Sequence, residues 1–421
     1  MQGYAHNMEN YAAMTNYQAE YELLARRLTE EGIDLAAVEA RLKTQQIETP
    51  SWGYGDSGTR FGVFRMPGAP RTVFEKFEDA AQAHRYTGIA PSVALHIPWD
   101  AGADWSEVSK YAASLGMSVG AINPNLFQEY DYRFGSLGST RPEVRARAVA
   151  HIRECVEIMK TLGSRHLSLW FADGTNFPGQ GHIRKRKQWF AEGLSEAYAS
   201  LSPEQTMLVE YKPFEPAFYH TDIADWGMAY AFCRSLGEKA KVLVDLGHHL
   251  QGANIEHIVA FLLDEGRLGG FHFNNKKYAD DDLTTGSVNP YELYLIYTEL
   301  VAGENDVLAR GIAYMIDECH TIKNKIAEMI QSLVALQTSY AKALIVNRPA
   351  LTAAQEADDI ITAEEIIKSA FATDVRPLLW KVRSDLNLPD PADPVRGFME
   401  SGYAATKAAE RGTGGGAGLG A

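Results

Sequence analysis

Short apolar runs that end in a polar residue recur along this chain, and stretches with helical spacing separate them. Candidate strands fall at 60–64, 93–97, 118–123, 167–171, 207–211, 242–246, 270–274 and 312–317. Between them, 75–86, 143–161, 224–236, 255–265 and 291–301 repeat apolar residues every three to four positions, as amphipathic helices do. Pro142 stands just before the second helix, where a missing N–H costs nothing. Eight strand–helix units of this kind predict an α/β fold, a closed (β/α)8 barrel. A doubly wound sheet is the alternative, but no glycine-rich dinucleotide fingerprint follows an early strand.

The pattern extends beyond the barrel at both ends. Leu23, Leu24, Leu28, Ile33, Leu35, Val38 and Leu42 place a helix over 13–47. The expected organisation is an N-terminal helical extension at 1–50 and a barrel at 51–345, closed by a helix at 323–344. A C-terminal helical appendage at 346–411 follows, with helices near 363–370 and 375–386, and then a Gly-rich tail at 412–421. Pro389, Pro391 and Pro394 mark a break within the appendage.

Four consecutive strand ends carry ligand-type residues: Glu210 in MLVEYK, Asp245 in VLVDLGHH, His272 in GGFHFNNK and Asp317 in AYMIDECH. A (β/α)8 barrel builds its active site from such ends. A carboxylate that closes an apolar run is expensive to bury unpaired, and a cation would satisfy it. These residues are the candidate ligands of a first metal. His248, three residues beyond Asp245 across Gly247, joins Asp280 and Asp282 as candidates for a second, because the run of carboxylates at 280–282 repels itself unless neutralised. Three carboxylates with one histidine favour Mn²⁺, Co²⁺ or Mg²⁺ over a closed structural Zn²⁺ site. Lys212, two residues past Glu210, is placed to steady the ligand or touch substrate oxygen. His96 and Trp170 end other strands at the same rim. With them, Trp52, Phe61, Trp99 and Phe177 can form an apolar wall, and aromatic faces beside polar groups suit a carbohydrate.

Composition narrows the partners. The chain has 421 residues with a formal charge of -14, which argues against a nucleic-acid partner. Cys155, Cys233 and Cys319 are far apart and form no CxxC, so no disulfide framework is expected. The N-terminus lacks a signal-peptide pattern and no run of apolar residues is long enough to span a bilayer, so the expectation is a cytoplasmic protein with no membrane partner.

Several segments resemble the bacterial L-rhamnose isomerases, closest to their broad-specificity pseudomonad type: SWGYGDSGTRF at 51–61, HIPWD at 96–100, TNFPGQ at 175–180, FEPAFY at 214–219, VDLGHH at 244–249, GGFHFN at 269–274, KYADDDL at 277–283 and MID at 315–317. The resemblance implies a xylose-isomerase-like barrel, two divalent ions per subunit (usually Mn²⁺), a homotetramer, and interconversion of L-rhamnose and L-rhamnulose with relaxed specificity for other aldoses. It implies first-metal ligands at Glu210, Asp245, His272 and Asp317 and second-metal ligands at His248, Asp280 and Asp282. Substrate contacts follow at His96, Trp170 and Lys212. Tyr211 and Asn275 depart from the family pattern at positions that bear on sugar preference. Isomerisation moves one hydrogen between C1 and C2. A direct hydride shift needs no protein base, whereas an enediol route needs one, and the candidates are Asp317 or a metal-bound water held by Asp280 and Asp282. The alternatives are another sugar isomerase or a ketose 3-epimerase on the same barrel, a metal-dependent nuclease, and a non-catalytic sugar-binding protein.

Overall fold

The structure, a computed structural model, describes residues 2–59, 61–215, 219–278, 282–304, 311–319 and 322–413, without the side chains of residues 2–15, 59 and 219. Eight parallel strands close into a barrel: β1 (Glu48–Pro50), β2 (Ser92–Ile97), β3 (Ser118–Pro124), β4 (His166–Leu169), β5 (Thr206–Glu210), β6 (Ala240–Asp245), β7 (Leu268–Phe273) and β8 (Ala313–Ile316). Each pairs with its neighbours in sequence, and β1 joins β2 to β8. A parallel sheet covered by helices buries both faces of its strands, hence their Val, Leu and Ile content. Along each strand alternate residues divide between two cores. Val93, Leu95, Leu167, Leu169, Val209, Val244 and Phe271 point out to the helices. Ala94, Ala121, Leu208, Leu243, Ala313 and Met315 point into the barrel, where Trp52 covers them.

The first strand is not where the sequence placed it. Of 60–64, Arg60 lies outside the described residues, and Gly62–Phe64 pairs antiparallel with Ser57–Thr59 in a hairpin outside the barrel. The barrel strand is instead Glu48–Pro50, three residues with no apolar run. Its place is fixed by pairing, Glu48 with Ser92 on one side and Met315 on the other. Glu48 faces the barrel interior, and its carboxylate accepts hydrogen bonds from Ala121 N at 2.9 Å and Ser92 Oγ at 3.3 Å. Gly120 makes room for it: a Cβ there would stand 1.4 Å from Glu48 Oε2. Burial raises the Glu48 carboxyl to about 7.

The extensions also differ in detail from the sequence reading. The single helix expected over 13–47 is two, Gln2–Glu30 and Leu35–Lys43. Gly32 at φ 83° breaks them, and Asp34 caps the second by accepting from Ala37 N. The closing helix is Lys325–Leu344, and five shorter helices follow: Arg348–Glu356, Ile360–Ala372, Arg376–Asp385, Pro394–Glu400 and Tyr403–Arg411. Pro394 opens a helix rather than only ending one, since its absent N–H is not needed at the first turn. The Arg376–Asp385 helix packs on the N-terminal helix. Arg411 returns the chain to the barrel, with its guanidinium 2.9 Å from both Asp79 Oδ2 and Glu78 Oε2. Among the described residues no single helix is long and apolar enough to cross a membrane.

Candidate metal centre

The mouth of the barrel is built by the alternation that fills its interior. Two residues beyond the inward-facing Leu208, Leu243 and Met315 come Glu210, Asp245 and Asp317, and two beyond Gly270 comes His272. Glu210, Asp245 and His272 close or nearly close β5, β6 and β7, and Asp317 directly follows β8. Adjacent parallel strands therefore bring together the residues that the sequence singled out. One ligand atom from each of Glu210, Asp245, His272 and Asp317 lies within 4.8 Å of all the others.

Neighbours hold these groups in place. Asp245 Oδ1 accepts from Gly247 N at 2.7 Å and from Asn274 Nδ2 at 3.0 Å. Trp52 Nε1 donates to Asp317 Oδ1 at 2.8 Å, between the ends of the adjacent β1 and β8. His272 Nδ1 faces Glu210 Oε1 at 3.3 Å, Asp317 Oδ2 at 3.6 Å and Asp245 Oδ2 at 3.7 Å. It is buried yet aligned for a hydrogen bond with none of them. A buried imidazole nitrogen with no hydrogen-bond partner, ringed by three carboxylates, is the donor set of a divalent cation. The cluster can coordinate one such ion.

The electrostatics agree. Burial would lower His272, but Glu210, with Asp317 and Asp245, reverses this and raises it to about 9. Burial opposes ionisation of Glu210, yet His272 and His248 bring it down to about 2. Burial, reinforced by the Glu210 charge, lifts Asp245 to about 6, and burial also raises Asp317.

A cavity of about 120 Å³ opens over the cluster. Lys212, His248 and Asp282 reach it from the metal side. His96, Trp99 and Trp170 reach it from β2 and β4, as the sequence predicted, along with Trp52. His96 stacks on Trp99 at 3.8 Å between ring centroids, and Trp52 meets His96 edge-on at 5.5 Å. Burial, with Lys76 adding to it, drives His96 down to about 3, so its ring is neutral; its Nδ1 is buried without a hydrogen bond. Asp100 fixes this corner by accepting from His96 N at 2.7 Å, Lys76 Nζ at 2.6 Å and Ser51 Oγ at 2.5 Å. Lys212 Nζ lies 2.7 Å from Glu215 Oε2 and 5.1 Å from the Trp170 ring centroid.

Not every expected residue arrives. Phe61 is 80% exposed beside the outlying hairpin and Phe177 is 56% exposed; neither lines the cavity, because each sits in a segment that leaves the barrel rim. Asp280 lies outside the described residues. His248 Nδ1 is 3.1 Å from Tyr211 O and 3.1 Å from Glu210 Oε1, so it stands against the first cluster. Sequence reasoning missed Asn123, Ser168 and Phe127, all of which line the cavity. Asn123 pairs in register with His96 across β2 and β3, a signal available once those strands are aligned. Phe127 is in a loop and carried no signal. A larger cavity of about 460 Å³ lies at the opposite end, around Glu48, Ser92 and Tyr314, away from the ligand cluster.

The model of the xylose isomerase-like TIM-barrel family matches residues 77–296, more than half the chain. The protein is a xylose isomerase-like TIM barrel. A probable sugar isomerase of Rhizobium meliloti is 43% identical to this family member over 98% of the present chain and 97% of its own. A second, from Mesorhizobium japonicum, is 41% identical over 96% and 94%. Among solved structures, an L-ribulose 3-epimerase shares the fold with a TM-score of 0.52 at 15% identity, covering 72% of this chain and 98% of its own.

Proposed function

We propose that the protein is a metal-dependent sugar isomerase that interconverts an aldose and its ketose, with L-rhamnose and L-rhamnulose as the leading pair. The observation that carries this reading is the cluster of Glu210, Asp245, His272 and Asp317, of which Glu210, His272 and Asp317 line an aromatic-walled cavity. The two nearly full-length relatives named probable sugar isomerases support the reaction class. The sequence motifs at 51–61, 96–100 and 244–249 support the choice of sugar.

Glu210, Asp245, His272 and Asp317 would hold a divalent ion, Mn²⁺ by preference, whose chemistry is Lewis-acid polarisation of a sugar carbonyl. His248 and Asp282, with Asp280, are proposed to hold a second ion. The chain's own groups do the rest. Neutral His96 offers Nδ1 to a sugar oxygen as the ring opens. Lys212, steadied by Glu215 and the Trp170 face, presents its ammonium to an oxygen next to the reacting carbons. Trp52 keeps Asp317 in one orientation and leaves its second oxygen for the cluster. The aromatic wall excludes water from the open-chain sugar. The proposed assembly is a homotetramer, which sedimentation equilibrium tests against the 46.5 kDa protomer.

One observation favours a second reading, a ketose 3-epimerase. Among the described residues the metal-ligating groups form a single cluster, and two of its carboxylates, Glu210 and Asp317, sit at the cavity. Incubating the Mn²⁺-supplemented protein with L-rhamnulose and with a panel of ketoses, followed by product analysis, separates the two. Aldoses as the main products, led by L-rhamnose, support the isomerase. Epimers at C3 as the main products replace it with the epimerase.

A further inference from the structure

The layer just below the ligand residues is apolar on nearly every strand. Stepping two residues back from His96, Asn123, Glu210, Asp245 and Asp317 gives Ala94, Ala121, Leu208, Leu243 and Met315. On β4 the same step back from Trp170 gives Ser168, which pairs in register with Leu208. Ser168 is 2% exposed and lines the cavity over the metal cluster. Its Oγ is buried and makes no hydrogen bond. A buried hydroxyl without a partner weakens a fold, and the alanines on β2 and β3 show that this layer packs without one. Ser168 shares this condition with His96 Nδ1 and Trp170 Nε1, which are also buried without partners. All of them lie on β2 and β4 or just beyond, and Ser168 stands on β4 beside β5, the strand that carries Glu210.

We propose that Ser168 is a specificity residue: its hydroxyl bonds to the sugar hydroxyl that reaches deepest into the barrel against β4. The inference rests on the sugar-binding reading above and adds to it which wall of the cavity reads the hydroxyl pattern. A polar group left buried and unpaired is how a site rejects an analogue that lacks the matching hydroxyl. The bland alternative, a serine that only fills space, predicts no such discrimination.

The test is a comparison of full and mono-deoxy sugars on wild type, Ser168→Ala and Ser168→Cys, all supplemented with Mn²⁺. The probes are L-mannose and its mono-deoxy analogues, of which L-rhamnose is the 6-deoxy member. Trp52, Trp99 and Trp170 border the cavity, so tryptophan fluorescence reports binding without turnover. In wild type, one analogue should bind roughly 3- to 10-fold more weakly than L-mannose, the factor for one neutral hydrogen bond. In Ser168→Ala that ratio should fall to about 1 while the ratios for the other analogues stay put, and Ser168→Cys, with its weak S–H donor, should fall between. Melting temperatures should show Ser168→Ala at least as stable as wild type, because no hydrogen bond is lost and a buried unpaired hydroxyl is removed. Ratios that are the same in wild type and Ser168→Ala overturn the inference, as does the absence of sugar binding to wild type. Sugar binding with the expected ratios but without C1–C2 isomerisation leaves Ser168 in place and overturns the proposed reaction instead.

Discussion

Replacing Glu48 with glutamine should make the protein more stable at neutral pH and remove one component of its pH dependence. Glu48 is buried inside the barrel, and burial raises its carboxyl from 4.5 to about 7. Below pH 4.5 the group is protonated whether the chain is folded or unfolded, and the folded state carries no penalty. As the pH rises from 4.5 through about 7, the unfolded chain releases this proton before the folded one does, so stability falls. The full cost above that window is roughly 3 kcal/mol. Glutamine has the shape of the protonated form, keeps an acceptor for Ala121 N and does not titrate. For a chain of this length the unfolding entropy is on the order of 0.9 kcal/mol per kelvin, so the cost converts to about 3–4 °C. The assay is the melting temperature of wild type and Glu48→Gln from pH 4.5 to 8 in one buffer series. The difference should grow with pH in favour of the glutamine variant and level off above about 7. A flat difference, or one that grows towards low pH, would refute the argument.

Other substitutions test neighbouring parts of the structure. Gly120→Ala should destabilise by ~1–3 kcal/mol or more, because its Cβ would land on the Glu48 carboxylate; the penalty should largely vanish in a Glu48→Ala background, which a double-mutant cycle of melting temperatures reads. Lys76→Met leaves Asp100 buried and uncompensated, and should cost about 3–5 kcal/mol in chemical denaturation while also weakening sugar binding through the loosened His96 corner. His272→Gln should lower the metal content measured after dialysis against Mn²⁺. Chelation of wild type should lower the melting temperature, since an ion present at 100 times its Kd stabilises by about 2.7 kcal/mol; a melt indifferent to chelation would count against a bound ion.

The metal half of the barrel was legible in the sequence because hydrophobic burial and ligand chemistry mark the same positions. An apolar run that stops at a carboxylate or imidazole states both where a strand ends and what it presents. β1 was illegible because Glu48–Pro50 owes its strand conformation to pairing with Ser92 and Met315, not to its own residues. The exposed Phe61 and Phe64 imitated a strand end that the barrel does not use. The break after Glu30 was written in Gly32 and Asp34, but the flanking leucines keep helical spacing across it. Phe127 and the Trp52–Asp317 hydrogen bond depend on loop paths and on closure of the barrel, which no local pattern encodes.

The order of the working residues along the chain has a consequence for inheritance. His96, Asn123, Ser168 and Trp170 all precede residue 171, whereas Glu210, Asp245, His272 and Asp317 all follow residue 206. The helix Ile183–Ala199 runs between the two sets on the outside of the barrel. A single genetic crossover there would exchange the wall proposed to meet the sugar while passing on the four-residue cluster entire. Mutations that retune that wall can thus accumulate in one half of the gene, while Lys212 travels with the cluster in the other. The Trp52–Asp317 hydrogen bond is the stitch across that seam, and any viable hybrid would have to inherit both of its ends in working register.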